Sequence, residues 1–203
     1  MDPTVLLMYL AALAGVYLLP GPDMALVVAT AGARGARTAL VTAAGIALSR
    51  AVHVLLSGVG LAALLAARPG MLEAVKIVGA AYLLYIAFQL LRADARQGAG
   101  HAAPAPAPAR AYLLRGFLTN LLNPKALLFC SLFLPQFVHP DAGPLPLQYL
   151  VLGLVLVMTG LAFDAAYALS ASRIGRRVRL PSRLGRFVLP AVFVALAGRL
   201  VAG

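Results

Sequence analysis

Leu18-Leu19-Pro20-Gly21-Pro22-Asp23 and, far along the chain, Leu121-Leu122-Asn123-Pro124-Lys125 each break a long apolar segment in its middle and place a charge at the break. In water such breaks are turns. In hydrocarbon they strand backbone polar groups, so they are tolerated only where protein or a water-filled cavity surrounds them. Matched breaks in two halves of a chain point to the binding site of a secondary transporter.

The composition places these breaks in a membrane. The 203 residues are 62% hydrophobic and 11% charged, against about 25% charged in a soluble domain. Mean hydropathy is +0.92. The net charge of +11 does not argue for nucleic acid, because the basic residues lie in short loops between apolar runs. The lone Cys130 excludes an intramolecular disulfide. Met1-Asp2-Pro3 has no positive region, so the first apolar segment is expected to be retained and not cleaved as a signal peptide.

A bilayer core needs roughly 20 apolar residues per helix. Six segments qualify, at about 4–31, 38–66, 71–91, 112–138, 146–172 and 185–202. Between the third and fourth, residues 93–110 carry Ala-Pro-Ala-Pro-Ala-Pro at 103–108, an extended linker in composition. It separates a first repeat, 1–92, from a second, 111–203. Twelve of the 17 basic residues fall in three loops on one side: Arg34 and Arg37; Arg92 to Arg115 around the linker; and Arg173 to Arg186. By the positive-inside rule these loops are cytoplasmic and both termini lie outside. Three spans per half then give the halves opposite orientations. The expected fold is an all-α integral membrane protein of six transmembrane helices, built as two inverted three-helix repeats with Pro-broken helices one and four.

Charges within the spans cost about 2.5–3.5 kcal/mol each near the bilayer centre and therefore need a reason. Arg50, His53, Lys125, Asp23 and Asp164 fall at similar depth on four spans. Gly21-Pro22 and Asn123-Pro124 read as starts of new half-helices, since Pro suits the first helical position and Asn the cap before it. Both positive helix ends then face the midplane, where they can hold an anion. Asp23 suits such an end. Lys125 does not, and is expected to need a carboxylate from the protein or from a substrate.

Structural roles compete with these. Asp23 can simply cap its half-helix, and Arg50 with Asp164 can form an ion pair between spans two and five. His53, one turn from Arg50 and from Ser57, reads as a hydrogen-bonded core residue rather than a ligand. Lys76 sits beside Glu73 at helical spacing and is expected to snorkel to the outer surface. Gly58, Gly60, Gly153 and Gly160 are expected to permit close helix packing. Tyr82, Tyr85 and Gln89 can line a path or pack.

Pro20-Gly21-Pro22-Asp23, the stretch Gly79-Ala80-Ala81-Tyr82-Leu83, and Asn120-Leu121-Leu122-Asn123-Pro124-Lys125-Ala126 followed by Phe133-Leu134-Pro135-Gln136-Phe137 together carry a resemblance. The chain resembles the lysine-exporter and threonine/homoserine-exporter family of bacterial inner-membrane proteins, from Leu18 to the end of span five. The resemblance implies export of an amino acid or close derivative, driven by the proton gradient. It carries the family pattern onto Pro20, Gly21, Pro22, Asp23, Asn123, Pro124 and Lys125, and less directly onto Asp164.

An amino acid bears both charges, so its site needs an anion-binding and a cation-binding group. Half-helix ends with Lys125 or Arg50 supply the first. Asp23 or Asp164 supplies the second, and a carboxylate can also carry the coupled proton. The expected partners are thus a small amino-acid substrate, protons and the lipid bilayer, with no nucleic acid, no cofactor and no resident metal. A homo-oligomer is compatible with this plan. Export of a metal or other small cation through Asp23, Asp164 and His53 is the alternative. Lys125 and Arg50 speak against it. A serine protease built on His53 and Ser57 lacks the Gly-x-Ser-Gly setting and a second intramembrane histidine, so no enzyme is expected.

Overall fold

In the computed structural model, which describes residues 3–60, 67–98, 107–177 and 182–202, the two proline breaks become two bends. Helix α1 (Pro3–Leu18) stops at the first, and α2 (Pro22–Arg34) restarts with Pro22 in its opening turn. There the missing N–H is an orphan in any case. Gly35, at φ +83, reverses the chain into α3 (Ala36–Gly58). Helix α4 (Pro69–Gly98) follows, then α5 (Ala109–Leu121), which ends at the second break. Segment α6 (Pro124–Phe137) restarts at Pro124 and changes from α-helix over Pro124–Leu128 to a π-turn over Phe129–Phe133 and a 3-10 turn over Leu134–Phe137. Helices α7 (Leu145–Arg177) and α8 (Ser182–Ala202) complete the chain, and no strand occurs among the described residues. The bends measure 58° between α1 and α2 and 59° between α5 and α6.

Two boundaries differ from expectation. Helix α4 continues to Gly98, into the stretch read as linker from residue 93. Ala93, Ala95, Arg96 and Gln97 are good helix formers, and the Pro repeat that would stop them begins only later. That Ala-Pro stretch lies mostly outside the described residues. Helix α3 ends at Gly58, short of the expected 66, and Gly60 turns the chain at φ +92. Gly60 thus serves the backbone rather than the helix packing expected of it. Residues 61–66 lie outside the described set.

Helices α3 and α7 pack against each other at the centre. Helix α2 lies against both, α5 runs along α3, α1 rests on α7, and α4 pairs with α8 beside α2. Three apolar clusters hold these contacts. Leu26, Leu83, Ile86 and Phe193 join α2, α4 and α8. Tyr9, Leu13, Val54, Leu134, Leu152 and Leu156 join α1, α3, α6 and α7. Val27, Ala43, Ile46 and Ala168 join α2, α3 and α7. The α3–α5 contact is backbone against backbone: a Cβ on Gly45 would collide with the Leu113 carbonyl, and one on Gly116 with the Thr42 carbonyl. Neither glycine stood out in the sequence.

Large apolar side chains cover the outside, with Leu55 70% and Leu150 66% exposed, while Arg50 and Asp164 are 3% and 2% exposed. Charges that face the bundle interior and apolar groups that face outward are the pattern of a protein dissolved in lipid. Among the described residues, α3 and Leu145–Ile174 of α7 are each long and apolar enough to cross a membrane, and there are four such spans if each bent pair counts as one.

Candidate functional site

The two breaks meet, and each is held by the other. Asp23, in the first turn of α2, accepts from Asn120 Nδ2 at 2.7 Å, in the last turn of α5, and from Asn123 Nδ2 at 3.3 Å, at the break after it. Lys125, in the first turn of α6, donates from Nζ to the carbonyls of Val16 at 2.7 Å and Leu19 at 3.1 Å, at the end of α1. The last carbonyls of a helix have no partner within it and form the negative end of its dipole. Lys125 therefore begins one helix and caps the far end of another. This partner was not foreseen: the sequence reading asked for a carboxylate, and no salt bridge from Lys125 occurs among the described residues. Asn123 also caps α6, its Oδ1 accepting from the Lys125 backbone N–H at 3.1 Å.

Arg50, midway along α3, binds both acidic groups. Its Nη1 lies 2.6 Å from Asp164 Oδ2 and its Nη2 3.4 Å from Asp164 Oδ1, a two-point grip on α7. Nη2 is also 3.7 Å from Asp23 Oδ2. The guanidinium carbon stands 4.8 Å from the ring centre of Tyr17, within reach of a cation–π contact. Tyr17 is fixed in turn, donating its hydroxyl to the Leu156 carbonyl at 2.9 Å, while Tyr167 donates to the Tyr17 carbonyl at 2.8 Å. Gly160 makes room for this arrangement: a Cβ there would lie 2.8 Å from both Arg50 Cζ and Tyr17 Oη.

These groups surround a cavity of about 50 Å³, lined by Asp23, Arg50, Asn120, Asn123, Lys125 and Asp164 together with Gly21, Tyr17 and Tyr167. Val16, Leu19, Met24, Phe129 and Leu156 supply apolar walls. The volume is room for about four water molecules. Of the residues singled out from sequence, Gly21, Asp23, Arg50, Asn123, Lys125 and Asp164 line the cavity. Pro22 and Pro124 are buried beside it as helix starts, and Pro20 is exposed at the bend. Asn120, Tyr17 and Tyr167 were missed as site residues. Asn120 belongs to the quoted motif, but the tyrosines carry no local signal.

Other expectations resolve away from the cavity. Tyr82 donates to the Arg115 carbonyl at 3.4 Å, Gln89 donates to the Tyr85 hydroxyl, and Arg115 donates to Gln89 Oε1 at 3.1 Å, so this set ties α4 to α5. Lys76 Nζ lies 3.9 Å from Glu73 Oε2. Gly153 sits against Val54. Ser57 donates to the Cys130 carbonyl at 2.5 Å and not to His53. Among the described residues no group of three or more His, Cys, Asp or Glu side chains could hold a metal ion.

The sequence profile of the family described as LysE type translocator matches residues 14–203. A leucine efflux protein of Klebsiella pneumoniae is 32% identical over 96% of this chain and 93% of its own length. An uncharacterized membrane protein of Pseudomonas aeruginosa is 34% identical over 87% of this chain and 83% of its own. A leucine efflux protein of Enterobacter is 29% identical over 91% and 89%. No solved structure matches the chain.

Proposed function

The chain belongs to the LysE type translocator family, and from that premise we propose that it exports a neutral amino acid of leucine type from the cytoplasm across the bacterial inner membrane, in exchange for protons. The observation that carries this reading is the set of unlike charges at the meeting of the two breaks. A zwitterion needs a carboxylate for its ammonium and a cation for its carboxylate. Asp23 and Lys125 stand at one cavity, each held by hydrogen bonds that a ligand can replace. The apolar walls from Val16, Met24 and Leu156 suit an aliphatic side chain. The names of the relatives in Klebsiella and Enterobacter point the same way.

Six spans in two inverted repeats provide the machinery. Spans one and four are α1–α2 and α5–α6; the others are α3, α4, α7 and α8. Near-equal bends of 58° and 59° support the repeat. So does the pairing of helices. Span one packs on span five as span four packs on span two, and spans three and six pack together. The basic loops put both termini outside, and α2 and α6 then start near the midplane and run in opposite directions. Alternating access would rock one half against the other around the Asp23 and Lys125 contacts. Asp23 is the carboxylate best placed to carry the proton, because Asp164 is held by two bonds to Arg50.

Export of a divalent metal is favoured by no such observation, since both carboxylates already face Arg50. Purified chain in vesicles with an acid interior, diluted into alkaline buffer, should accumulate labelled leucine. Accumulation of a divalent metal in place of leucine would overturn the proposal.

A further inference from the structure

A buried polar seam adjoins the site and takes no part in the scheme above. Ser49, His53 and Ser57 stand at successive turns on one face of α3 and are all buried. His53 is 1% exposed, and its Nδ1 has no hydrogen-bond partner among the described residues. The same is true of Ser49 Oγ, Asn120 Oδ1 and Ser131 Oγ. Buried side-chain polar atoms nearly always have partners, and an unpaired one in apolar surroundings is costly. Four of them on α3 and on the segments α5 and α6 that pack against it make a seam that ordered water would satisfy.

The seam joins the site at Asn120. Its Nδ2 donates to Asp23 at 2.7 Å, and its Oδ1 is one of the unpaired atoms. His53 also adjoins the backbone of Leu121, the residue after Asn120. Four other ionisable groups line the cavity beside α3 or pack near it. Asp164 on α7 is bound to Arg50, and Lys125 on α6 to the α1 carbonyls. Cys130 on α6 is buried in an apolar cluster, and Tyr17 on α1 donates to Leu156. Helix α5 buries Tyr112, Thr119 and Asn120, and its Arg115 is bound to Gln89. In the proposed orientation α3 runs outward, so His53 and Ser57 lie between Arg50 and the outer face.

We propose that His53 is the relay that passes protons from the outer side to Asp23. The imidazole takes at Nδ1 an excess proton that has entered from the outer side along water in the seam, and gives it, through water beside Asn120, to the Asp23 carboxylate. His53 ends neutral as it began. Asp23 becomes a neutral acid and lets go of the substrate's ammonium group. The proton later leaves Asp23 on the cytoplasmic side. This step rests on the antiport reading, and His53 acts as a relay that does not touch the substrate.

The test separates proton coupling from folding and from export itself. Full-length chain in vesicles is assayed for leucine accumulation driven by an acid interior, and for exchange of labelled against unlabelled leucine at equal pH. Exchange needs the site to alternate but needs no net proton transfer. His53→Gln and His53→Asn should lose driven accumulation at least tenfold while at least one of them keeps exchange within twofold of wild type. Driven accumulation that survives in either variant overturns the relay. Loss of exchange alongside drive in both variants also overturns it, because His53 is then a structural residue. If the wild-type chain moves leucine in neither assay, the export reading fails in its own right.

Discussion

Lys125 donates its Nζ to the carbonyl oxygen of Val16 at 2.7 Å, so the charge that opens the second half-helix closes the end of α1 in the first half. Asp23 returns the contact, held by Asn120 and Asn123 from the other break. Each break is thus held by a charged side chain or amides from the other half. A bound amino acid can take the place of these contacts, ammonium on Asp23 and carboxylate on Lys125, and loosen the junction as it binds.

Lys125→Met keeps the apolar stem and removes the charge. Leucine binding to the purified variant should weaken at least tenfold. Lys76→Met, which removes a charge paired at the surface with Glu73, should change affinity less than twofold. Calorimetric titration reads both. Full affinity in the Lys125→Met protein would end the assignment of Lys125 to the substrate carboxylate.

The buried pair of Arg50 and Asp164 should matter most when only one partner is removed. Asp164→Leu leaves a buried guanidinium without its two-point partner, a loss of about 3–5 kcal/mol. The double variant Arg50→Met with Asp164→Leu should recover most of that stability but not transport. Thermal unfolding in detergent, beside vesicle transport, checks both halves of the statement. A single variant as stable as wild type would show that the pair contributes little to the fold.

Gly160 should be essential for the position of Arg50. Alanine there places a methyl group 2.8 Å from both Arg50 Cζ and Tyr17 Oη, so the guanidinium must move. Transport should fall at least tenfold in Gly160→Ala. Gly198→Ala, with no neighbour within 4 Å of the new methyl, should transport normally. Equal activity in the two variants would mean that Arg50 tolerates displacement.

The orientation can be read by labelling. Cys130 is 2% exposed, and Cys130→Ala gives a background without thiols. In intact cells stripped of any outer barrier, an impermeant thiol reagent should label Asp141→Cys and spare Gly100→Cys. The opposite pattern would turn the protein over.

The membrane class, the two breaks and the charges worth following were all legible in the sequence, because hydropathy and proline chemistry act locally. A run of apolar residues is a candidate span wherever its neighbours lie, and Pro at a helix start behaves alike in any fold. Asn123 as a cap and Pro22 and Pro124 as first-turn residues are local statements, and the helices start there. Partnership is not local. The Arg50–Asp164 pair is one of the readings open in the sequence, but that Lys125 closes α1, that Arg50 also reaches Asp23, and that Tyr17 lies against its guanidinium depend on residues far apart in sequence. Gly45 and Gly116 look like any other glycine in an apolar run, and Gly160 reads only as a packing glycine, with no partner named. Only the tertiary structure decides which of them a backbone or a guanidinium touches, because close approach belongs to a pair of helices and neither helix encodes it alone.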